Sequence, residues 1–487
     1  MISTRMPRRL FLLVLLSALL IQMAWILAIP AYHGIDEFDH VYKAEAVAHG
    51  QLLDEGAPDA GRGGLVEVPD DVVAAASTVC DSYTYTGPDN CHPVEHVGGG
   101  MVTVASGAAT YNPTYYAIVG LMAQPFSGAA ADFAMRAFTA VLAALLLAWA
   151  AVVTSGWARN RWPLLALLVT ATPVLIYSTA VASPNGVGYA AGCLLWAAGL
   201  GLVEDPGRPR VVALTTAALT MMVTHSTGVM WLALVVAVIV LLQPLSRWRA
   251  LVQHSPRPLI GAGGVIAVGG LACVAWVLLA KTNSLAPAQG KFGTLELSDL
   301  VVGQIAWALQ TIGAFPMRNE PAPGVVYALW LVPFVFLMVA GIRKASSRLR
   351  LATLALLTVW VAVPLALTVV AFDSEGLAWQ GRYALPLAVG FPALAGLALN
   401  RSTRGPRSIH CVLAVTLCAL AQTISCVTVA WTEAEKGLSP SFAGSIPGAV
   451  VLIAALALAG GMLPLLLARE VRPRVPQPVR PHATVEV

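Results

Sequence analysis

Three carboxylates are concentrated in one stretch of the sequence, which reads GIDEFDHVYKAEAVAHG. Asp36, Glu37 and Asp39 lie within four consecutive positions, and His40 follows them directly. Adjacent carboxylates beside a membrane repel each other unless one is protonated, paired or bound to a metal ion, so such a stretch indicates function. A positioned carboxylate can take a proton as a general base. We therefore expect Asp36 and Glu37 to be catalytic, and they are also the candidate ligands of a divalent metal, Mg²⁺ or Mn²⁺; no other cofactor is expected.

The stretch is predicted to form a helix that begins near Asp36. Helical spacing places Asp36, His40 and Lys43 on one face and Phe38 and Val41 on another. Such an amphipathic helix lies in the membrane interface, with its apolar side toward lipid and its charged side toward a polar cavity. The alternative interpretation is structural: Asp36 caps the helix, and the carboxylate after it interacts favourably with the helix dipole.

The composition predicts an integral membrane protein. Of the 487 residues, 57% are hydrophobic and 11% are charged, whereas soluble proteins carry about 25% charged residues. The net charge of +4 is small, and the basic residues fall in short loops, where they set topology rather than bind nucleic acid. The first apolar run, 10–30, is longer than the ~7–15 residues of a signal sequence, which favours an uncleaved first span over a signal peptide.

About twelve membrane spans are predicted, which gives an all-α integral membrane fold. The arginine and lysine clusters alternate between loops and all fall on one side when the count is twelve, so both termini are expected in the cytoplasm, beneath a bacterial plasma membrane. Residues 1–468 form one transmembrane module, and 469–487 are predicted to be a disordered cytoplasmic tail. The predicted spans are 10–30, 132–155, 162–179, 186–203, 211–223, 227–242, 259–280, 325–342, 351–372, 383–399, 409–431 and 446–468.

This topology leaves a long first loop, 31–131, on the external side. Its middle, 54–100, is rich in Gly, Asp and Pro and is predicted to be irregular. The apolar run 113–126 and the segment 300–315 are too short to cross a membrane, so we predict two interfacial or re-entrant helices that roof a cavity at the outer leaflet.

Seven cysteines are present in the chain. Five lie in predicted spans, where cysteine packs as a small apolar residue. Cys80 and Cys91 lie in the polar part of the first external loop, where an oxidising compartment would allow a disulfide. The sequence leaves open whether these two pair.

Several polar residues on the predicted external side could bind a substrate. Arg382, within the sequence WQGRY, begins the tenth span and can hold a phosphate with two hydrogen bonds; the alternative is an aromatic belt with a snorkelling arginine. Lys291 and Arg318 lie outside against the positive-inside trend, which favours an anionic ligand. Asn185 is a weak candidate for binding a sugar hydroxyl, and His225 lies between two apolar runs.

Three short motifs, in this order, resemble those of the GT-C superfamily of polytopic membrane glycosyltransferases. They are D-E-x-x-H at 36–40, N-P-T-Y-Y at 112–116 and Q-G-R-Y at 380–383, and together they look like a bacterial branch of that superfamily. The resemblance implies a GT-C-like helix bundle with juxtamembrane helices in the first external loop. Two departures are expected: Thr114 stands in place of the second proline of the usual Pro-Pro element, and no soluble carbohydrate-binding domain follows the last span.

The resemblance implies that a sugar moves from a polyprenyl-phosphate donor to a lipid- or glycan-linked acceptor of the cell envelope, at the external membrane surface. Asp36 would take the acceptor's proton in a single displacement that inverts the anomeric carbon, while Arg382 with Lys291 or Arg318 would stabilise the leaving phosphate. The alternative is a polytopic transporter or a lipid flippase, although the acids cluster at one surface rather than at mid-membrane. The candidate substrate-binding residues are His40, Lys43, Asn112, Tyr115, Asn185, His225, Lys291, Arg318, Gln380, Arg382 and Tyr383.

Overall fold

The computed structural model describes residues 5–80, 86–91, 98–254, 256–281, 293–315, 320–402, 404–436 and 446–468. The elements of the first half are α1 Arg5–Ala28, α2 Glu37–Ala48, β1 Gly64–Pro69, α3 Asp70–Cys80, β2 Met101–Ser106, α4 Pro113–Ala123, α5 Gly128–Trp157, α6 Trp162–Thr170, α7 Pro173–Ser178, α8 Pro184–Glu204, α9 Arg208–Thr224 and α10 Gly228–Leu241. Those of the second half are α11 Leu245–His254, α12 Pro256–Leu279, α13 Leu297–Gln310, α14 Gly324–Lys344, α15 Ser347–Glu375, a 3₁₀ helix at Gly381–Ala384, α16 Leu385–Ala388, α17 Gly390–Asn400, α18 Ser408–Glu435, α19 Ile446–Met462 and α20 Leu465–Ala468.

The chain is a multi-pass membrane protein with a mostly helical fold, as the composition predicted. Within the described residues, nine helical segments are long and apolar enough to cross a membrane, and a tenth would be the bent pair α10 and α11. Three of the twelve predicted spans are not among these nine segments. The span at 162–179 is split into α6 and α7, while α9 and α10 have 17 and 14 residues and are short for the ~20 residues that a helix needs to cross.

The split between α6 and α7 follows from local sequence. Pro173 occupies the first turn of α7, where its missing N–H costs nothing, but it cannot continue the helix that precedes it. The hydroxyl of Thr172 accepts a hydrogen bond from the Leu175 amide at 3.2 Å and so caps the new helix. The chain therefore bends here, and α7 reaches the region below α2.

The helices differ in how deeply they are buried in the bundle. The apolar window of α8 is 94% buried, whereas that of α12 is 6% buried. The first half of α8 alternates glycine and alanine with larger residues, so α5 and α9 can pack closely against it. We therefore place α8 at the centre of the bundle and α12 on its lipid-facing surface.

The loop after α1, which was predicted to be external, folds into a compact unit around α2. Strands β1 and β2 pair antiparallel, with Gly64 opposite Ser106 and Pro69 opposite Met101. The expectation that 54–100 is irregular is wrong over β1 and α3. Cys80 and Cys91 form a disulfide, with their Cα atoms 5.3 Å apart. This unit has its own apolar core, which includes Phe38 and Val41 of α2 together with side chains of both strands, α3 and α4.

Helix α2 does not present its apolar side to lipid, contrary to the prediction from its amphipathic pattern. All of its residues from 37 to 47 are buried, because α4 covers one side and the β-sheet covers another. By contrast, α4 exposes Ile118, Leu121 and Met122, and α13 likewise exposes an apolar face. These two are the short segments for which an interfacial position was predicted. The predicted tail, 469–487, lies outside the described residues.

Candidate active site

Asp36 and Arg382, which are 346 positions apart in the chain, meet as an ion pair. The Arg382 guanidinium donates a hydrogen bond from Nη2 to Oδ2 of Asp36 at 2.8 Å. The Arg382 side chain is 6% exposed, whereas that of Asp36 is 25% exposed. A carboxylate that is partly accessible and held by a buried cation is available to a ligand that enters from the open side.

The backbone at Asp36 is strained. Asp36 occupies the N-cap position of α2, as the structural alternative required, but its side chain makes no capping hydrogen bond. Its φ of 55° and ψ of 19° lie in the left-handed region, which costs a non-glycine residue on the order of 1 kcal/mol. The conformation directs the carboxylate to Arg382 instead of to the first amides of the helix, so capping alone does not explain this residue.

Arg382 is positioned by the glycine that precedes it. The Gly381 amide donates a hydrogen bond to Oε1 of Gln310 on α13 at 2.8 Å. A Cβ on Gly381 would lie 2.0 Å from the main-chain oxygen of Trp307, so only glycine allows the 3₁₀ helix to approach α13 this closely. The guanidinium of Arg382 also lies over the ring of Tyr383, 5.4 Å from its centroid.

A cavity of about 280 Å³ opens beside this ion pair. It brings together six of the residues that the sequence singled out, from α2, α8, the α9–α10 junction and the Q-G-R-Y segment. These six are Asp36, His40, Asn185, His225, Gln380 and Tyr383. The other lining residues are Asp39, Arg62, Gly107, Ala108, Tyr111, Thr227, Leu367, Thr368, Ala371, Gly376, Ala378 and Trp379.

The cavity also touches a lipid-facing helix. Ala371 and Leu367 of α15 line it, whereas Val370 on the same helix is 84% exposed and Val369 is 53% exposed. Only 17% of the apolar window of α15 is buried. One side of α15 therefore lines the polar cavity, while another side of the same helix is apolar and exposed.

Asp39 and His40 are the buried titratable groups of α2 on this cavity. Burial raises the pKa of Asp39 to about 7, although the Gly107 amide, which donates to its Oδ1 at 2.6 Å, opposes the shift. Burial lowers the pKa of His40 to about 4, so its ring is neutral at pH 7. Nδ1 of His40 lies 2.8 Å from the hydroxyl of Tyr116 in the N-P-T-Y-Y motif.

His225 forms part of the cavity wall with Tyr383. The two rings meet edge to face, with centroids 5.8 Å apart, and Nδ1 of His225 lies 2.8 Å from the Thr227 hydroxyl. Burial lowers the pKa of His225 to about 4. At pH 7 the cavity therefore carries its charge on the Asp36 carboxylate and on two guanidinium groups, those of Arg62 and Arg382, and not on its histidines, while Asp39 is only partly ionised.

Glu37 does not line the cavity. The prediction that it is catalytic together with Asp36 therefore does not fit the structure. The Glu37 side chain is fully buried, and Arg136 of α5 donates to Oε1 from Nε at 2.8 Å and to Oε2 from Nη2. The amides of Gly34 and Ala182 also donate to Glu37, each at 2.8 Å. With both oxygens held by four N–H groups, Glu37 is an anchor for the start of α2 and not a base.

Three more predicted substrate-binding residues lie away from the cavity. Lys43 donates to the main-chain oxygen of Leu52 at 2.8 Å and is buried, and the hydroxyl of Tyr115 pairs with that of Thr139 at 2.6 Å. Asn112 caps α4 and faces a small neighbouring cavity. Their local partners satisfy these side chains. Lys291 and Arg318 lie outside the described residues.

The predicted metal site does not fit this geometry. Glu37 and Asp36 are adjacent in sequence, but their carboxylates are held by different arginines, Arg136 and Arg382. Among the described residues, no group of three or more His, Cys, Asp or Glu side chains is arranged to hold a metal ion. We therefore route no chemical step through a metal at this pair.

Sequence reasoning missed other residues of the cavity. Arg62 lies in a glycine-rich stretch with no periodicity or motif to mark it. Trp379 directly precedes the Q-G-R-Y motif and was assigned only to an aromatic belt, and Thr368 is one threonine of an apolar helix. Asp39 was visible in the acidic stretch, and its three-residue spacing from Asp36 was the signal that could have placed both on one face.

Comparisons with known proteins agree on the membrane class. The family model described as "Predicted membrane protein (DUF2142)" matches residues 19–391. No curated protein matches the chain. Two crystal structures of ArnT from Cupriavidus metallidurans are similar to it: the one bound to undecaprenyl phosphate has 14% identity, a TM-score of 0.37, and covers 88% of this chain and 75% of ArnT. The apo structure has 14% identity, a TM-score of 0.36, and covers 87% and 74%.

The structural likeness to ArnT is weak, because both TM-scores are below 0.5. The family match is different, because it extends over most of the chain, from α1 to the start of α17. It includes both halves of the cavity, with Asp36 near its beginning and Arg382 near its end. The chain belongs to the DUF2142 family of predicted membrane proteins.

Proposed function

We propose that this protein is a membrane glycosyltransferase that moves a sugar from a polyprenyl-phosphate donor to a cell-envelope acceptor on the external face. The observation that carries the proposal is the ion pair of Asp36 and Arg382 at a polar cavity next to a lipid-facing helix. This arrangement supplies a carboxylate for an acceptor hydroxyl, a cation for a phosphate and access from the lipid side. The motif resemblance to GT-C enzymes supports the same reaction class.

In the proposed reaction the lipid phosphate takes the place of Asp36 on Arg382. An Arg–phosphate contact is a charge-assisted and commonly bidentate hydrogen bond, and Asp36 then acts as the carboxylate that accepts a proton. The acceptor hydroxyl loses its proton to Asp36 as its oxygen bonds to the anomeric carbon. The bond from that carbon to the phosphate oxygen breaks, the oxygen keeps the electron pair, and the departing polyprenyl phosphate is stabilised by Arg382.

This single displacement inverts the anomeric configuration. One carboxylate acts as base and no sugar becomes bound covalently to the protein. Asp39 is the other carboxylate on the cavity, and its main-chain and Oδ1 contacts fix it to the loop at Ser106 and Gly107. We assign the base to Asp36, since it is the more accessible carboxylate and is adjacent to the phosphate-binding arginine.

The first test is the binding of undecaprenyl phosphate to the purified protein in nanodiscs. Loss of a charge-assisted hydrogen bond costs about 1.5–3 kcal/mol, so Arg382→Ala is expected to weaken binding about 10- to 100-fold. Arg159→Ala is the matched control, because the Arg159 side chain is 66% exposed and does not line the cavity. Equal affinity of the Arg382 variant and the control would exclude Arg382 as the phosphate-binding residue.

The alternative function, a transporter or lipid flippase, predicts a different result. Such a protein would move labelled undecaprenyl-phosphate sugar across proteoliposomes without breaking the sugar–phosphate bond. The proposed enzyme releases undecaprenyl phosphate when an acceptor is present and moves no intact donor. Measurement of both quantities on the same proteoliposomes separates the two functions.

A further inference from the structure

Three residues that line the cavity, which we call its polar wall, each carry one buried polar atom without a hydrogen-bond partner. The atoms are Oγ1 of Thr368, Nε1 of Trp379 and Oε1 of Gln380, which have no partner within the described part of the chain. Thr368 is 3% exposed and Gln380 is 4% exposed, and all three residues line the cavity. Buried polar groups are almost always satisfied by protein, water or a ligand, so three on the polar wall require an explanation.

The chemistry of these atoms restricts what can satisfy them. The indole N–H of Trp379 only donates, the amide oxygen of Gln380 only accepts, and the hydroxyl of Thr368 does both. A phosphate only accepts and a cation only donates, so neither suits the whole wall. Neighbouring hydroxyl groups offer donors and acceptors at short spacing, as on the ring of a sugar.

The ring of Trp379 is also held in place by other aromatic rings. Its centroid lies 5.5 Å from that of Tyr383, 6.2 Å from that of Trp231 and 6.5 Å from that of Trp307, all edge to face. A fixed indole presents an apolar face and an N–H at its edge. Sugars combine both features, since their C–H groups are apolar and their hydroxyls are polar.

We propose that Thr368, Trp379 and Gln380 form the subsite that binds the hydroxyls of the transferred sugar. The subsite rests on the proposed function, because it places the sugar beside Arg382, which holds the phosphate to which that sugar is joined. Gln380 is two residues from Arg382 in the chain. This wall therefore selects the sugar, while the carboxylates of α2 act on the acceptor.

The test compares two kinds of lipid on the full-length protein in nanodiscs. The probes are undecaprenyl phosphate and undecaprenyl phosphates that carry a hexose, an aminohexose or a pentose. Thr368→Val removes one hydroxyl and keeps the shape of the side chain, whereas Trp379→Phe removes the indole N–H together with the ring that carries it and keeps an aromatic side chain. We expect each to weaken the tightest-binding sugar lipid about five-fold, as for a lost neutral hydrogen bond, with the affinity for bare undecaprenyl phosphate unchanged.

Thr358→Val is the matched control on the same helix, because its hydroxyl is exposed and bonds to the Leu354 carbonyl of its own helix at 3.0 Å. It is expected to bind both kinds of lipid as the wild type does. Equal losses for sugar lipid and bare lipid in the Thr368 and Trp379 variants would assign the wall a structural role and overturn the subsite. The subsite would also be overturned if the wild type bound the sugar-bearing lipids no more tightly than bare undecaprenyl phosphate. That result would leave the phosphate site of the proposed function intact. Failure of every lipid to bind the wild type would remove the proposed function and the subsite together.

Discussion

The buried ion pair between Glu37 and Arg136 is predicted to hold the start of α2 in place. Both side chains are fully buried, and Asp132 contributes a further buried carboxyl group 3.1 Å from Arg136. Arg136 also donates to the main-chain oxygens of Ile29 and Pro30, each at 2.7 Å. A single guanidinium thus joins the end of α1, the start of α2 and α5, and it fixes the segment that carries Asp36.

Replacement of Arg136 by Met keeps most of the volume but leaves two carboxyl groups buried without their cation. Breaking a buried pair in this way costs about 3–5 kcal/mol. With an unfolding entropy of about 1 kcal/mol/K for a chain of 487 residues, the melting temperature should fall by about 3–5 °C. Thermal unfolding of the purified protein in detergent, followed by the fluorescence of a thiol-reactive dye at the buried cysteines, measures this change.

Arg159→Ala provides the comparison, because its pair with Glu204 spans 3.7 Å and the arginine is 66% exposed. Exposed pairs contribute about 0–1 kcal/mol, so its melting temperature should stay within about 1 °C of the wild type. The double variant Arg136→Met with Glu37→Gln should recover part of the loss, since the unpaired charge of Glu37 is gone. If Arg136→Met has the same melting temperature as Arg159→Ala, the ion pair does not anchor α2.

Two further predictions concern the cavity. Burial raises the pKa of Asp39 from 3.8 to about 7, so between pH 4 and pH 7 the folded state keeps a proton that the unfolded state has lost, and stability falls as pH rises through this window. Asp39→Asn lacks that fall, so its melting temperature relative to the wild type should be higher at pH 8 than at pH 4; a constant difference would contradict this. Gly381→Ala places a Cβ 2.0 Å from the Trp307 oxygen, which should displace Arg382 and weaken undecaprenyl phosphate binding. Gly324→Ala, which meets nothing within 4 Å, should bind normally, and equal affinities would show that the close approach is not needed.

The sequence could predict which residues meet at the cavity more readily than how they are arranged. The positive-inside rule placed Asp36 and Arg382 at the same membrane face, and the motif resemblance linked them, although they are 346 positions apart. The sequence did not show that the adjacent carboxylates of Asp36 and Glu37 have different roles. Arg136, the partner of Glu37, lies inside a predicted span, and only the left-handed turn at Asp36 directs the two adjacent side chains to different arginines.

The membrane part of the fold was more predictable than the external unit. Long apolar runs mark α1, α5 and α18 directly, and short ones were miscounted as spans where proline breaks the helix, as before α7. Strands β1 and β2 were missed because their six-residue segments are 31 residues apart in a stretch rich in glycine, so no turn signal joins them. That sheet covers α2, which is why an amphipathic pattern was mistaken for a lipid-facing helix.

In the proposed reaction, the Asp36 carboxylate takes a proton from an acceptor hydroxyl during sugar transfer. The most direct measurement is the transfer of labelled sugar from undecaprenyl-phosphate sugars to a bacterial envelope fraction, with wild-type protein and Asp36→Asn in matched nanodiscs. We predict that the Asn variant binds the lipid donor and melts normally but transfers no label above background. Transfer by the Asn variant at the wild-type rate would contradict the account.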